Sequence, residues 1–227
     1  MTHTRPATLP PGRRLRALLE LAVPGLWRRA ELIWHGEPAD AAYRRWLQVS
    51  HAMMRATIPL LTDARDECAR RRDPVSAKLR GYFADQIEQE HGHEEILRDD
   101  YVGAGGRAAE LTEPVAPGAV ARLVGAQYYW IRHEHPLALA AHIAVLEWFP
   151  PGPALGSGLA ARTGLPAAAF STLELHAAAD TEHGAALLRL LDGLPLPARL
   201  GELLSVSALT TVEGLDDVID AITRKGT

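Results

Sequence analysis

The chain has 227 residues, 47% hydrophobic and 23% charged, with a formal net charge of −4, so it can bury a substantial core without disulfides. Cys68 is its one cysteine, which excludes an intramolecular disulfide, a CxxC redox pair and a cysteine-built zinc site. The weakly acidic balance speaks against nucleic-acid wrapping or a polybasic membrane binder, and 22 of the 24 basic residues are arginine.

Residues 1–11, with Pro6, Pro10 and Pro11, read as a disordered arm preceding one helical domain over 12–227. The pair Arg13-Arg14 before Leu15–Leu26 superficially suggests an export signal. Glu20 and Pro24 interrupt that stretch and no small-residue cleavage site follows, so it reads as an amphipathic first helix. No run reaches the ~18 apolar residues of a membrane span; a soluble, cytoplasmic protein is expected. Proline and glycine punctuation predicts helices near 12–34, 38–71, 74–100, 117–133, 136–149, 167–192 and 197–224, with a short one at 154–163. Pro59 should kink the second. Pro74, Pro117, Pro166 and Pro197 sit at or beside helix starts. No alternating β-branched run suggests a strand. The expectation is an all-α, single-domain bundle of about seven or eight helices.

Ionisable residues then fall on faces that should be apolar. In the helix near 167–192, His176, Asp180 and His183 lie within about 60° of one another. They share their sector with Leu173, Leu187, Leu190 and Leu191. Such a trio costs free energy unless something binds it; a transition metal is the simplest answer, a hydrogen-bonded His–Asp cluster the plainer one. The helix near 74–100 carries two E-x-x-H candidates. The stripe of Leu79, Phe83, Ile87, Leu97 and Tyr101 puts Glu90 near its centre and His93 about 70° away, and turns Glu88 and His91 toward solvent. Glu94 is a reserve ligand. Glu147 lies within the most apolar stretch, 137–149, where a carboxylate needs a metal, an arginine such as Arg132, or a raised pKa. His142, five residues earlier, falls on another face and reads as a lone core or surface histidine.

Together, Glu90, His93, Glu147, His176, Asp180 and His183 make three carboxylates and three imidazoles, enough for two metal ions inside a bundle. Two ferrous ions would leave the site near neutral, with open positions. Manganese is the second choice, and zinc has no redox chemistry. The chain resembles, at these residues, the heme-oxygenase-like di-metal oxidases, seven-helix proteins related in fold to heme oxygenase and the TenA/PqqC proteins. His176-x3-Asp180-x2-His183 looks like that family's closing motif, and Glu90-x2-His93 followed by Glu147 is similar to its fatty-acid decarboxylase branch. The resemblance spans about 75–192. It implies two irons, dioxygen as co-substrate and a small-molecule substrate, amino-acid-like or fatty-acid-like. The outcome would be N-oxygenation, oxidative C–C cleavage or decarboxylation in natural-product or cofactor biosynthesis.

One departure stands out. Some relatives draw a further carboxylate from the interval that corresponds to 41–62, which here holds no Asp or Glu. His51 could fill that place. His51 and Arg55, with Tyr128, Tyr129 and Arg132, are the candidate substrate-pocket residues, arginine suiting a substrate carboxylate. An external electron donor and a homodimer are compatible with this reading. Two readings compete with it. A metal-free TenA/PqqC-like enzyme would leave six ligands unexplained, and a helical metal-binding or interaction protein would lack redox activity.

Overall fold

A computed structural model describes residues 9–150 and 152–224, with the side chains of 178–181 outside the description. The described residues form ten α-helices and no strand. They are α1 (Pro11–Trp34), α2 (Ala39–Met54), α3 (Thr57–Arg70), α4 (Pro74–Glu90), α5 (His93–Gly103), α6 (Gly118–Tyr129), α7 (Leu137–Glu147), α8 (Leu155–Thr163), α9 (Ser171–Asp192) and α10 (Ala198–Thr223). The all-α expectation holds. Residues 1–8 of the predicted arm lie outside the description; from Pro11 onward the chain is already helical.

Two predicted helices are each two. The second breaks at Arg55-Ala56, between α2 and α3. Pro59 explains the position: it offers no N–H to the carbonyl four residues back, at Arg55, and its ring would clash there. Pro59 then sits in the first turn of α3, where a missing N–H costs nothing. The stretch near 74–100 breaks at His91-Gly92, which the apolar stripe did not reveal. Gly92 has φ 90°, a left-handed conformation that glycine adopts without the Cβ penalty. Counting each broken pair as one restores eight helices.

The bundle closes around α7. Every residue from Leu137 to Val145 is buried, its Leu, Ile and Val side chains worth about 1.5–3 kcal/mol each. On one side α7 meets α10, on the other α9 and α4, and α3 pairs with α4 in a helical hairpin. A second cluster joins α1, α2, α6 and α10 through Leu26, Val49, Leu123 and Ile219. A third, with Tyr43, Leu97, Phe170 and Leu173, closes the end formed by α2, α5 and the start of α9. No helix among the described residues is long and apolar enough to cross a membrane.

Candidate metal centre and its cavity

Three helix ends converge beside α7. Asp100, fully buried on α5, accepts the backbone N–H groups of Ser171 (3.0 Å) and Thr172 (2.7 Å) at the start of α9. Those N–H groups have no partner within their own helix, and a carboxylate there also meets the positive end of the helix dipole. The same contact ties α5, which begins with His93, to α9, which carries His176 one turn after Thr172. Three turns further along α9, the indole N–H of Trp148 donates to the Gly184 carbonyl at 2.9 Å. A Cβ on Gly184 would lie 2.8 Å from Trp148 Cδ1 and 3.5 Å from the Glu147 carbonyl oxygen. Glycine beside His183 is therefore what lets the Glu147 end of α7 approach α9 so closely.

The turn at Gly92 separates α5 from α4, and across it His93 Nδ1 comes within 2.9 Å of Glu90 Oε2. The i, i+3 spacing thus works across a break rather than along one helix. His176 stands edge-on to His93, ring centroids 5.5 Å apart. Its Nδ1–H donates to the Thr172 carbonyl oxygen at 2.7 Å, which leaves Nε2 as the donor atom, the arrangement in which histidines bind metals. Burial pushes the Glu90 carboxyl up. The His93 hydrogen bond and the nearby imidazoles of His93, His176 and His183 outweigh it, holding the carboxyl below its usual range. Glu147 is buried at 8% exposure and, with burial itself and Glu90, pushes the phenol of Tyr82 well above its ordinary pKa. The Tyr82 hydroxyl is buried with no hydrogen-bond partner among the described residues.

Of the six predicted ligands, Glu90, His93 and His176 thus meet, and His183 bears on Glu90. Glu147 shares one cavity wall with Glu90 and His176, while Asp180 lies outside the described residues. Among the described residues no three His, Cys, Asp or Glu side chains are grouped closely enough to hold an ion by themselves. Glu88 and His91 are exposed. Glu94 turns away to pair with His51 Nε2 at 3.3 Å and with Arg55 at 4.0 Å.

Glu90, Glu147 and His176 open onto a cavity of about 260 Å³. Its walls are mainly hydrocarbon, with Trp46, Met53, Leu60, Leu123, Leu139 and Leu173 contributed by α2, α3, α6, α7 and α9. None of the five predicted pocket residues lines it, which corrects that expectation. On α2 the lining positions are Trp46, Ser50, Met53 and Met54, a helical face whose centre lies about 115° from His51 and about 155° from Arg55. On α6 the lining residues are Leu123 and Val124. The chain then enters a π-helical turn, Trp130–Glu134. Arg132 there pairs with Asp63 of α3 at 3.0 Å and lies over the Tyr128 ring, while Tyr129 is half exposed and stacks on His133. Arg132 is therefore not the partner of Glu147.

Gln86 and His142 line the cavity and were not singled out. For Gln86 the signal was present, since it stands one helical turn before Glu90. For His142 it was not, because α7 is buried all round and its pattern marks no preferred face.

Comparison with known proteins agrees with this architecture. The profile of a family described as iron-containing redox enzyme matches residues 45–213. A domain of unknown function with a heme oxygenase-like fold, from Shewanella denitrificans, superposes with a TM-score of 0.74 at 11% identity. The match covers 92% of this chain and 89% of that one. A TenA homolog from Pseudomonas syringae pv. tomato superposes with a TM-score of 0.66 at 12% identity, covering 91% of each chain. At such identities the likeness establishes the fold. No curated protein sequence matches significantly.

Proposed function

Because the chain belongs to the family of iron-containing redox enzymes and has the heme oxygenase-like fold, we propose that it is a non-heme di-iron oxidoreductase that uses dioxygen on a small molecule. Glu90, His93, Glu147, His176, Asp180 and His183 are the residues that would hold two Fe(II) ions. The observation that carries this reading is the convergence of Glu90, His93 and His176 at the wall of a mostly apolar cavity that Glu147 also lines. The donor set fits iron: ionised carboxylate and neutral imidazole together suit it, and the Thr172 carbonyl sets His176 to present Nε2. When bound, the ferrous pair supplies electrons to dioxygen, and an external donor would restore them.

The protein's own part is to bind, orient and exclude water. Glu90 stays ionised through its hydrogen bond to His93 and so keeps its charge for a cation. The hydrocarbon walls favour a substrate with apolar surface over bulk water, which limits uncoupled release of reduced oxygen. With no arginine lining the cavity among the described residues, recognition of a substrate carboxylate by bidentate pairing is not part of the proposal.

Anaerobic titration of the metal-free chain with Fe(II), followed by metal analysis, tests the assignment. About two irons per chain are expected, with a marked loss in His176→Ala and Glu147→Ala. Binding well below two, unchanged in both variants, would overturn it and favour a metal-free, TenA-like role.

A further inference from the structure

One polar group in the cavity wall has no place in the proposed iron site. His142 lies on α7, lines the cavity and is 9% exposed. Its Nδ1 stands 3.2 Å from Thr211 Oγ1 on α10. The single hydroxyl proton of Thr211 is given to the Ser207 carbonyl oxygen at 2.9 Å. Thr211 therefore accepts from His142, and the imidazole carries its proton on Nδ1. Nε2 is left as a bare acceptor with no protein partner among the described residues, on the α7 wall beside Leu139, Ile143 and Leu146, with Glu147 at its end. Ser207 Oγ separately donates to the Ala138 carbonyl oxygen at 2.8 Å, tying α10 to α7 beside this pair. Burial lowers the ring's pKa to about 4, consistent with a neutral imidazole.

We propose that His142 Nε2 selects the substrate: it accepts a hydrogen bond from an O–H or N–H group on an otherwise hydrocarbon molecule bound in this cavity. A satisfied acceptor in an apolar pocket discriminates strongly, because a ligand without the donor leaves the nitrogen buried and unpaired. The cavity volume of about 260 Å³ accommodates about eight or nine non-hydrogen atoms at roughly 30 Å³ each. The inference rests on this cavity being the substrate site but not on iron being bound.

Two isomers of that size separate the donor from everything else: 1-heptanol, which donates, and hexyl methyl ether, which does not. Trp46 lines the cavity and reports binding by fluorescence to the full chain, titrated under argon before and after iron loading. 1-Heptanol should bind about three- to tenfold more tightly than the ether. In His142→Phe the preference should shrink to within about twofold, the ether's affinity being retained. A preference that is absent from the wild-type protein, or that survives in His142→Phe, overturns the proposal. Should the variant bind neither ligand, 15N-histidine spectra of the wild-type protein decide. The unprotonated nitrogen of His142 should move on adding 1-heptanol and not on adding the ether, and no movement overturns the proposal. Because binding is read with and without iron, failure here leaves iron loading intact, and failure of iron loading leaves this result intact.

Discussion

At the scale of single residues, the buried histidines differ in what their hydrogen bonds allow. His135 accepts the Leu137 N–H on Nδ1 at 3.0 Å, so its proton is on Nε2, 3.2 Å from Ser76 Oγ. Ser76 in turn donates to Asp73 at 2.8 Å. The trio contains the residue types of a hydrolase triad, but the histidine nitrogen facing the serine is already protonated and cannot act as its base. It serves as part of the cap of α4. His142 faces the opposite way, with its bare nitrogen toward the cavity, and its burial has a measurable consequence. A ring titrating near 4 when folded and near 6.5 when unfolded binds fewer protons in the native state. Its contribution to stability is therefore complete above pH 6.5 and is lost as pH falls toward 4. The loss totals about 3 kcal/mol, at up to about 1.4 kcal/mol per pH unit. Urea unfolding of wild type and His142→Phe at pH 7, 5.5 and 4.5 should show the wild type losing stability more steeply by that margin. Parallel curves would mean that the ring is not held neutral. Nothing in the sequence distinguishes His142 from a packing histidine, because its partners, Thr211 and Ser207, are about 65–69 residues away in the chain and are chosen by the crossing of α7 and α10. Glu90 was legible because it shares a stripe with Phe83 on α4, whereas His93 begins α5 beyond the Gly92 break, so the stripe does not account for its meeting Glu90. That Met53 and Met54, and not His51 and Arg55, are cavity residues turns on the rotation of α2 about its axis, which only its packing determines.

At the scale of elements, helix boundaries carry the site. The Pro59 kink was readable because proline acts through fixed covalent geometry. The break at Gly92 was not, because a glycine within a periodic pattern is tolerated or used as a turn according to what the neighbouring helices offer. Asp100 shows the same dependence. In sequence it is one of two adjacent aspartates, Asp99 and Asp100, and only the approach of α9 makes the second a cap while the first stays exposed. Asp100→Ala removes the acceptor for two backbone N–H groups at once and leaves them buried. A loss of about 2 kcal/mol is expected, a fall in melting temperature of about 4–8 °C for a chain of this size. Since Asp100 joins the helices of His93 and His176, the same variant should also weaken Fe(II) binding, whereas Asp99→Ala should alter neither. Thermal melts and metal titration of the two variants side by side check both parts.

At the scale of the whole molecule, the fold class followed from composition and punctuation, and the family from two acid-x-x-His spacings whose helices are now known to converge. The walls of the cavity were not legible, since seven helices supply them. A site assembled from so many elements should couple to global stability. Fe(II) ions that bind only the folded chain stabilise it by mass action, by about 2.7 kcal/mol per site at a free concentration a hundredfold above the dissociation constant. For 227 residues this corresponds to a rise in melting temperature of about 5–10 °C per site. Anaerobic melts of the metal-free chain should rise on adding Fe(II) and return with a chelator. In Glu147→Ala the Fe(II)-dependent rise should shrink, because one of the carboxylates that would hold the cations is gone. The size of that rise separates a binding carboxylate from a structural one. Were Glu147 there to brace the bundle, its removal would lower the metal-free melting point and leave the Fe(II)-dependent rise unchanged.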